Sequence, residues 1–135
     1  MTLKHRPINP AQWKKPVGYS NAMLSEGGRI LWLGGQVAFD EKARVVGKDD
    51  LVKQFEQVCK NIETVLKEAG GTTEDIVRMT IFVADKDDYI ARGKEIGKVY
   101  RYHFGNHYPA MTLVEISRFY EEGVLLEIEA TAVLP

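Results

Sequence analysis

The sequence lacks three features that would each point to a particular class of protein: paired cysteines, a long apolar run and an excess of one charge. Its single cysteine, Cys59, excludes an intrachain disulfide framework and fits a reducing compartment. No apolar run approaches the ~20 residues that a membrane helix needs. The 18 basic and 19 acidic residues give a formal net charge of -1, which provides no basic face for nucleic acid. We therefore expect a cytoplasmic protein that binds neither membranes nor nucleic acid.

The chain length of 135 residues fits one domain, and contents of 44% hydrophobic and 27% charged residues are ordinary for a globular protein. Residues 1–16 contain Pro7, Pro10 and Pro16 but no apolar segment of the kind that a secretory signal needs. We expect this segment to be an extended or mobile lead-in to a single domain within residues 1–135.

Two segments have the three- and four-residue apolar spacing of amphipathic helices. The first helix begins after Asp49 or Asp50, either of which can cap its N-terminus, and it ends at Gly70. The second begins in the polar segment 85–88 and ends before Gly105. Each helix has one apolar face, so we expect both to pack on the same side of a mixed sheet in an α+β fold.

The remaining apolar segments read as strands. The segment 29–37 is almost continuously apolar, which predicts a strand covered on both faces, and Gly34 and Gly35 inside it are typical of a bulge or of a close approach to a ligand. The last strand has one wholly apolar face and one mixed face. With helices on one side only, the mixed face leaves apolar residues open to water, so we expect an oligomer. The predicted strands are 19–24, 29–37, 44–46, 76–84, 111–117 and 124–134.

Glu127 and Glu129 lie on the same face of the last strand, and each is flanked by apolar residues. A carboxylate in such surroundings can hold and move a proton near neutral pH. The alternative is a solvent-facing pair on a half-exposed sheet, since glutamate is usually exposed. The spacing alone leaves both interpretations open.

The histidines and the cysteine offer weaker candidates. His103 and His107 are four residues apart, but a glycine lies between them and no third ligand is evident, so we predict no metal site. His107 beside Tyr108 either lines a pocket or is an ordinary loop histidine. Cys59 lies on the apolar stripe of the first helix, which predicts a buried structural thiol. No nucleophile elbow, Walker loop or dinucleotide-binding glycine motif is present.

Several short stretches, taken in order along most of the chain, form a recognisable set. Each is weak alone, but together they resemble the Rid family, also called the YjgF/YER057c/UK114 family. The stretches are LGGQVAFD at 33–40, CKNI at 59–62, VLKEAG at 65–70, DIVRMTIFV at 75–83, YPA at 108–110, VEI at 114–116 and EIEA at 127–130.

The resemblance implies a chorismate-mutase-like fold and a homotrimer whose small-molecule pockets lie between subunits. It also implies the hydrolysis of reactive enamines or imines to a keto acid and ammonia, without a cofactor. The family's pocket tyrosine corresponds to Tyr19, and its strand glycine to Gly35, with Gly34 beside it. The carboxylate that positions water or shuttles a proton corresponds to Glu127. Leu113 is at a position that is often cysteine.

The main departure from the family pattern is Met111. Imine-deaminating members have an arginine there, which binds the substrate carboxylate through a charge-assisted pair that methionine cannot make. We therefore expect a subfamily that lacks the substrate-binding arginine and acts on a less anionic or more apolar substrate. Arg101 and His107 are candidates for a replacement charge. The alternative functions are a non-catalytic trimer that binds a metabolite or a protein and, less favoured, an endoribonuclease.

Overall fold

A computed structural model describes residues 5–135, and residues 1–4 lie outside the described part of the chain. It confirms the α+β class and places most elements where the sequence predicts them. The elements in chain order are β1 (His5–Ile8), β2 (Ala22–Ser25), β3 (Arg29–Gln36), α1 (Leu51–Glu68), a 3-10 turn (Thr73–Asp75), β4 (Ile76–Val83), α2 (Lys86–Ala91), α3 (Gly93–Phe104), β5 (Ala110–Glu115) and β6 (Leu126–Leu134).

Four strands form a mixed sheet in the order β3-β6-β4-β5. Strand β6 pairs antiparallel with both β3 and β4, whereas β4 and β5 are parallel. Helices α1 and α3 cover one side, which we call the helix face, and Leu126 and Ile128 of β6 are buried there. The other side, which we call the open face, presents Trp32, Thr80 and Glu129. The predicted arrangement of a mixed sheet with its helices on one side is therefore confirmed.

Helix α1 is the centre of the core. The side chain of Asp50 caps its N-terminus by accepting a hydrogen bond from the Lys53 amide at 3.0 Å. Cys59 is fully buried on the predicted stripe, and burial raises the pKa of its thiol, so it stays protonated as a structural residue. The stripe also buries Leu51, Phe55, Val58, Ile62 and Leu66.

The structure adds detail to two predictions about the N-terminal region. Within the predicted extended lead-in, residues 5–8 form β1, which pairs antiparallel with β2 as a separate two-stranded sheet. The strand predicted at 19–24 begins only at Ala22. Tyr19 and Ser20 lie beside β5 instead, where Ser20 forms an isolated parallel bridge with Ala110.

The second predicted helix is divided into α2 and α3. Arg92 leaves helical geometry with φ -98° and ψ 20°, and the weak helix former Gly93 follows it. The expectation that β3 is covered on both faces is also wrong for the single chain, because Ile30 is 56% exposed and Trp32 74% exposed on the open face. The short strand predicted at 44–46 is reduced to one bridge between Phe39 and Val45.

Within residues 5–135, no helix combines the length and the apolar character that crossing a membrane requires.

Candidate functional site

Glu127 lies directly against the backbone of Gly35. The pairing of β3 with β6 changes register between Leu33 and Gln36, so the two glycines form the predicted bulge. A β-carbon built on Gly35 would overlap Oε2 of Glu127 and would lie 2.8 Å from its Cδ and 3.1 Å from its Cγ. Glycine is therefore required here for the half-buried carboxylate to keep its place on the open face. We call Gly34, Gly35 and Glu127 the glutamate half-site.

Tyr19 is held beside the start of β5 by its neighbour. Ser20 is buried, its hydroxyl donates a hydrogen bond to the Tyr108 carbonyl at 2.6 Å, and its amide donates to the Pro109 carbonyl at 3.1 Å. Tyr19 itself is 41% exposed. This anchoring brings the predicted pocket tyrosine to the strand that carries Met111 and Leu113. We call Tyr19, Met111 and Leu113 the tyrosine half-site.

Met111 and Leu113 lie on the helix face of β5. Their register partners on β4 are Met79 and Ile81, which are both buried there, and Met111 packs against the core. Glu127 is in register with Phe82 of β4. Phe82 follows the buried Ile81 on that strand, so Phe82 and Glu127 both lie on the open face. Within one chain, Met111 and Glu127 therefore lie on opposite faces of the sheet.

The two half-sites are also far apart within the sheet. Glu127 is in register with Phe82, Phe82 is in register with Val114, and Ala110 comes four residues before Val114 on the same strand. With neighbouring strands ~4.8 Å apart and a rise of ~3.3 Å per residue, the Cα atoms of Glu127 and Ala110 are about 16 Å apart. Since Tyr19 lies beyond β5, a single chain does not bring the half-sites into one pocket.

The two candidates for a replacement charge lie away from Glu127. Nε2 of His107 is hydrogen-bonded to the Ile76 carbonyl at 2.6 Å, and the His107 carbonyl accepts a hydrogen bond from the Tyr100 hydroxyl at 2.6 Å. Arg101 is exposed on α3, where its guanidinium lies over Gly97. The roles of His107 and Arg101 in ligand binding stay predictions. His107 is hydrogen-bonded to the backbone, and Arg101 lies on α3.

His103 has a different environment from the metal-ligand pair considered above. It is bound between two glutamates of α1, with contacts from Nδ1 to Glu63 and from Nε2 to Glu56 at 3.0 Å. Each ring nitrogen of His103 therefore contacts a carboxylate oxygen. The pair of contacts joins α3 to α1. Residues 5–135 contain no group of three or more His, Cys, Asp or Glu side chains arranged to hold a metal ion.

A groove of about 650 Å³, not predicted above, lies between α1 and the loop that follows β3. Its floor is fixed by Asn61, whose side-chain amide donates to the carbonyls of Val37 and Phe39, both at 3.0 Å. Its rim includes Asp40, and the backbone hydrogen bond from Arg44 holds the pKa of that carboxyl below its usual range. The polar residues Gln57 and Asn61 on α1 were the available signal for this contact with the loop.

A family model described as Endoribonuclease L-PSP matches residues 12–134. A RutC family protein of Pyrococcus horikoshii is 36% identical over 119 residues, which are 87% of this chain and 89% of the relative. The human 2-iminobutanoate/2-iminopropanoate deaminase is 26% identical over 98% of this chain and 92% of its own length. A Rid family protein of unknown function from Yersinia pestis has a TM-score of 0.87 and 32% identity, covering 96% of this chain and 98% of that structure.

These matches extend over nearly all of the described chain. The chain belongs to the Rid (YjgF/YER057c/UK114) family, which the matching model describes as Endoribonuclease L-PSP. The human relative is named as a deaminase and the matching family model as an endoribonuclease. Family membership therefore supports a Rid-type deaminase or hydrolase and leaves the substrate to be derived from this chain's own residues.

Proposed function

We propose that this protein hydrolyses imines or enamines and releases ammonia, with Glu127 as the general base. The observation that carries the proposal is the carboxylate of Glu127 held against the backbone of Gly35 on an accessible face of the sheet. Because the carboxylate fills the space over Gly35, a ligand on this face would meet Glu127 beside the backbone of the bulge.

The proposed reaction adds one water molecule to the carbon of a C=N bond. Glu127 accepts a proton from the water as its oxygen bonds to that carbon, and the C=N electron pair moves to nitrogen. The same carboxylic acid then returns the proton to nitrogen and gives a carbinolamine. The carboxylate next takes the hydroxyl proton and passes it to nitrogen, the oxygen forms the C=O bond as the C–N bond breaks, and a carbonyl compound and ammonia leave. An enamine reaches the imine when one of its N–H protons is transferred to its carbon. Neither a metal nor a cofactor enters these steps.

We further propose a homotrimer in which each active site combines the glutamate half-site of one copy with the tyrosine half-site of the next. The glutamate half-site lies near β3, the strand at one edge of the sheet. The tyrosine half-site lies near β5, the strand at the other edge. The exposed apolar side chains of Ile30 and Trp32 on the open face also favour contact with another copy. A cyclic assembly satisfies both observations, because every copy uses one half-site in each of two interfaces.

Replacing Gly35 with alanine should lower turnover by about tenfold or more, because the new methyl group displaces the Glu127 carboxylate from its position. The assay follows ammonia released from enzymatically generated imines. Gly93→Ala is the matched control, since a β-carbon at Gly93 meets nothing within 4 Å. Full activity of Gly35→Ala with an unchanged melting temperature would contradict the role of this contact.

We propose that the absence of arginine at position 111 alters the substrate specificity. Met111→Arg should increase the hydrolysis of 2-iminobutyrate by about 10-fold or more, because a charged contact contributes about 1.5–3 kcal/mol. Met111→Gln is the control, since it adds a polar group of similar size without charge. A similar increase in both variants, or in neither, would mean that the arginine alone does not set the specificity.

A second candidate is a trimer that binds a metabolite or a protein without turnover. The absent arginine favours it, because binding through apolar contacts persists where the charged contact of the deaminases is lost. This candidate predicts thermal stabilisation by a ligand and no Glu127-dependent release of ammonia.

A further inference from the structure

We propose that the loop from Pro10 to Ser20 forms an apolar wall of the tyrosine half-site. This wall favours one class of imine as substrate. An imine of this class carries an apolar group at the position where an imine derived from an amino acid carries its carboxylate. The inference rests on the proposed function for the reaction itself. It concerns the part of the substrate that does not react.

The loop is fixed at both ends. Oδ1 of Asn9 accepts hydrogen bonds from the backbone amide and the side-chain amide of Asn21, at 2.8 and 3.1 Å, and so closes the loop at its base. Ser20 holds the C-terminal end to the backbone of Tyr108 and Pro109, as described above. A surface loop with its ends held together is an Ω-loop, a type that frequently carries function.

The anchoring limits how far the loop can lie from the tyrosine half-site. Val17 is three residues before Ser20, so their Cα atoms are at most about 11 Å apart. Ser20 in turn is bridged to Ala110, the residue before Met111. Val17 therefore lies within reach of a ligand that contacts Tyr19 and the edge of β5.

The loop exposes an unusual amount of apolar surface for so short a segment. Val17 is 84% exposed, Trp13 60% and Tyr19 41%. Met111 and Leu113 add uncharged side chains on the neighbouring strand, and Leu113 is 39% exposed. Exposed apolar groups beside a predicted pocket offer a surface that a ligand's apolar group can cover, which removes both surfaces from water.

The same loop contains Lys14 and Lys15, which are the competing source of specificity. Both are exposed, and they lie six and five residues, respectively, before the anchored Ser20. An ammonium group on a long, solvated side chain holds an anion weakly. Val17, by contrast, is close to the anchor and has a short, rigid side chain. The apolar residues are therefore better placed than the lysines to form the wall.

The experiment compares two imines generated in the assay. An amine oxidase acting on 2-phenylethylamine supplies an imine without a carboxylate, and an amino-acid oxidase acting on 2-aminobutyrate supplies 2-iminobutyrate. Val17→Ser should lower the acceleration of the first reaction by about tenfold and change the second by less than about twofold. Ile90→Ser is the matched control, because Ile90 is 69% exposed on α2, away from the loop.

Two outcomes of these assays would overturn the proposal. One is an equal loss with both imines in Val17→Ser, which would indicate a general defect. The other is a tenfold loss with 2-iminobutyrate in the double variant Lys14→Gln/Lys15→Gln, which would assign the specificity to the lysines. A change in the sedimentation of Val17→Ser would likewise overturn it, by placing Val17 in a contact between copies.

A binding measurement separates failure of the wall from failure of the proposed function. If the native protein accelerates neither imine, the catalytic proposal fails, and the wall is then tested with phenylacetone in an NMR titration. Shifts in residues 10–20 and 108–113 that are lost in Val17→Ser would support the wall without catalysis. No binding of phenylacetone, or equal binding of 2-oxobutyrate, would overturn it.

Discussion

Replacement of Glu127 with glutamine is expected to reduce imine hydrolysis by a factor of about 10²–10⁴, the usual contribution of a positioned general base. Glutamine keeps the length and polarity of the side chain but cannot accept the proton from water. The rate of ammonia release over the uncatalysed reaction measures the effect, and the melting temperature reports whether the fold is intact.

Glu129→Gln is the matched control for this variant. Glu129 lies two residues further along the same strand and also on the open face, but it has no contact with Gly35. It should keep most of the activity. An equal loss in the two variants would show that the open face needs negative charge in general, and full activity of Glu127→Gln would exclude Glu127 as the base.

The second large effect is a recovery of activity from two inactive proteins. Glu127→Gln removes one half-site and Tyr19→Ala weakens the other, so each variant alone should have little activity. When the two are unfolded together and refolded as mixed trimers, about one site in four combines two intact halves. The mixture should therefore recover roughly a quarter of the native activity.

This recovery depends on the half-sites belonging to different copies. The control is the same two proteins refolded separately and then combined, which should show no recovery. If the refolded mixture is no more active than the sum of its parts, the site lies within one chain and the inter-subunit pocket is wrong. Sedimentation of the native protein as a monomer at micromolar concentration would refute the same proposal independently.

Much of the fold follows from local pattern. The apolar stripe of α1 and the apolar alternation in β6 are strong sequence signals, because each repeats over many residues with one period. The tertiary packing buries the same residues that both patterns predict. The break at Arg92 is not predictable in this way, because the apolar spacing continues on both sides of it. The pairing of β1 with β2 brings together residues 5 and 25. A pattern within either short segment cannot predict a contact between residues so far apart in the sequence.

The candidate residues could be named from the sequence, but their arrangement could not be predicted from it. Gly35 and Glu127 are recognisable as residue types, and the bulge was suggested by two glycines in an apolar strand. Their contact, however, depends on the register of β3 against β6, which the sequence does not specify. The placement of Met111 and Glu127 on opposite faces of the sheet likewise becomes visible only from the pairing of β4 with its two neighbours.

The position of β5 has a consequence for how the protein behaves when dilute. This strand is at an end of the sheet, pairs with β4 alone along most of its length, and is exposed from Thr112 to Glu115. Free backbone groups on such an edge are a template for pairing with other chains. In the proposed trimer the edge lies at an interface, so a dissociated copy would have both an incomplete site and an unprotected strand. Dilution would therefore increase the fraction of copies that expose this edge.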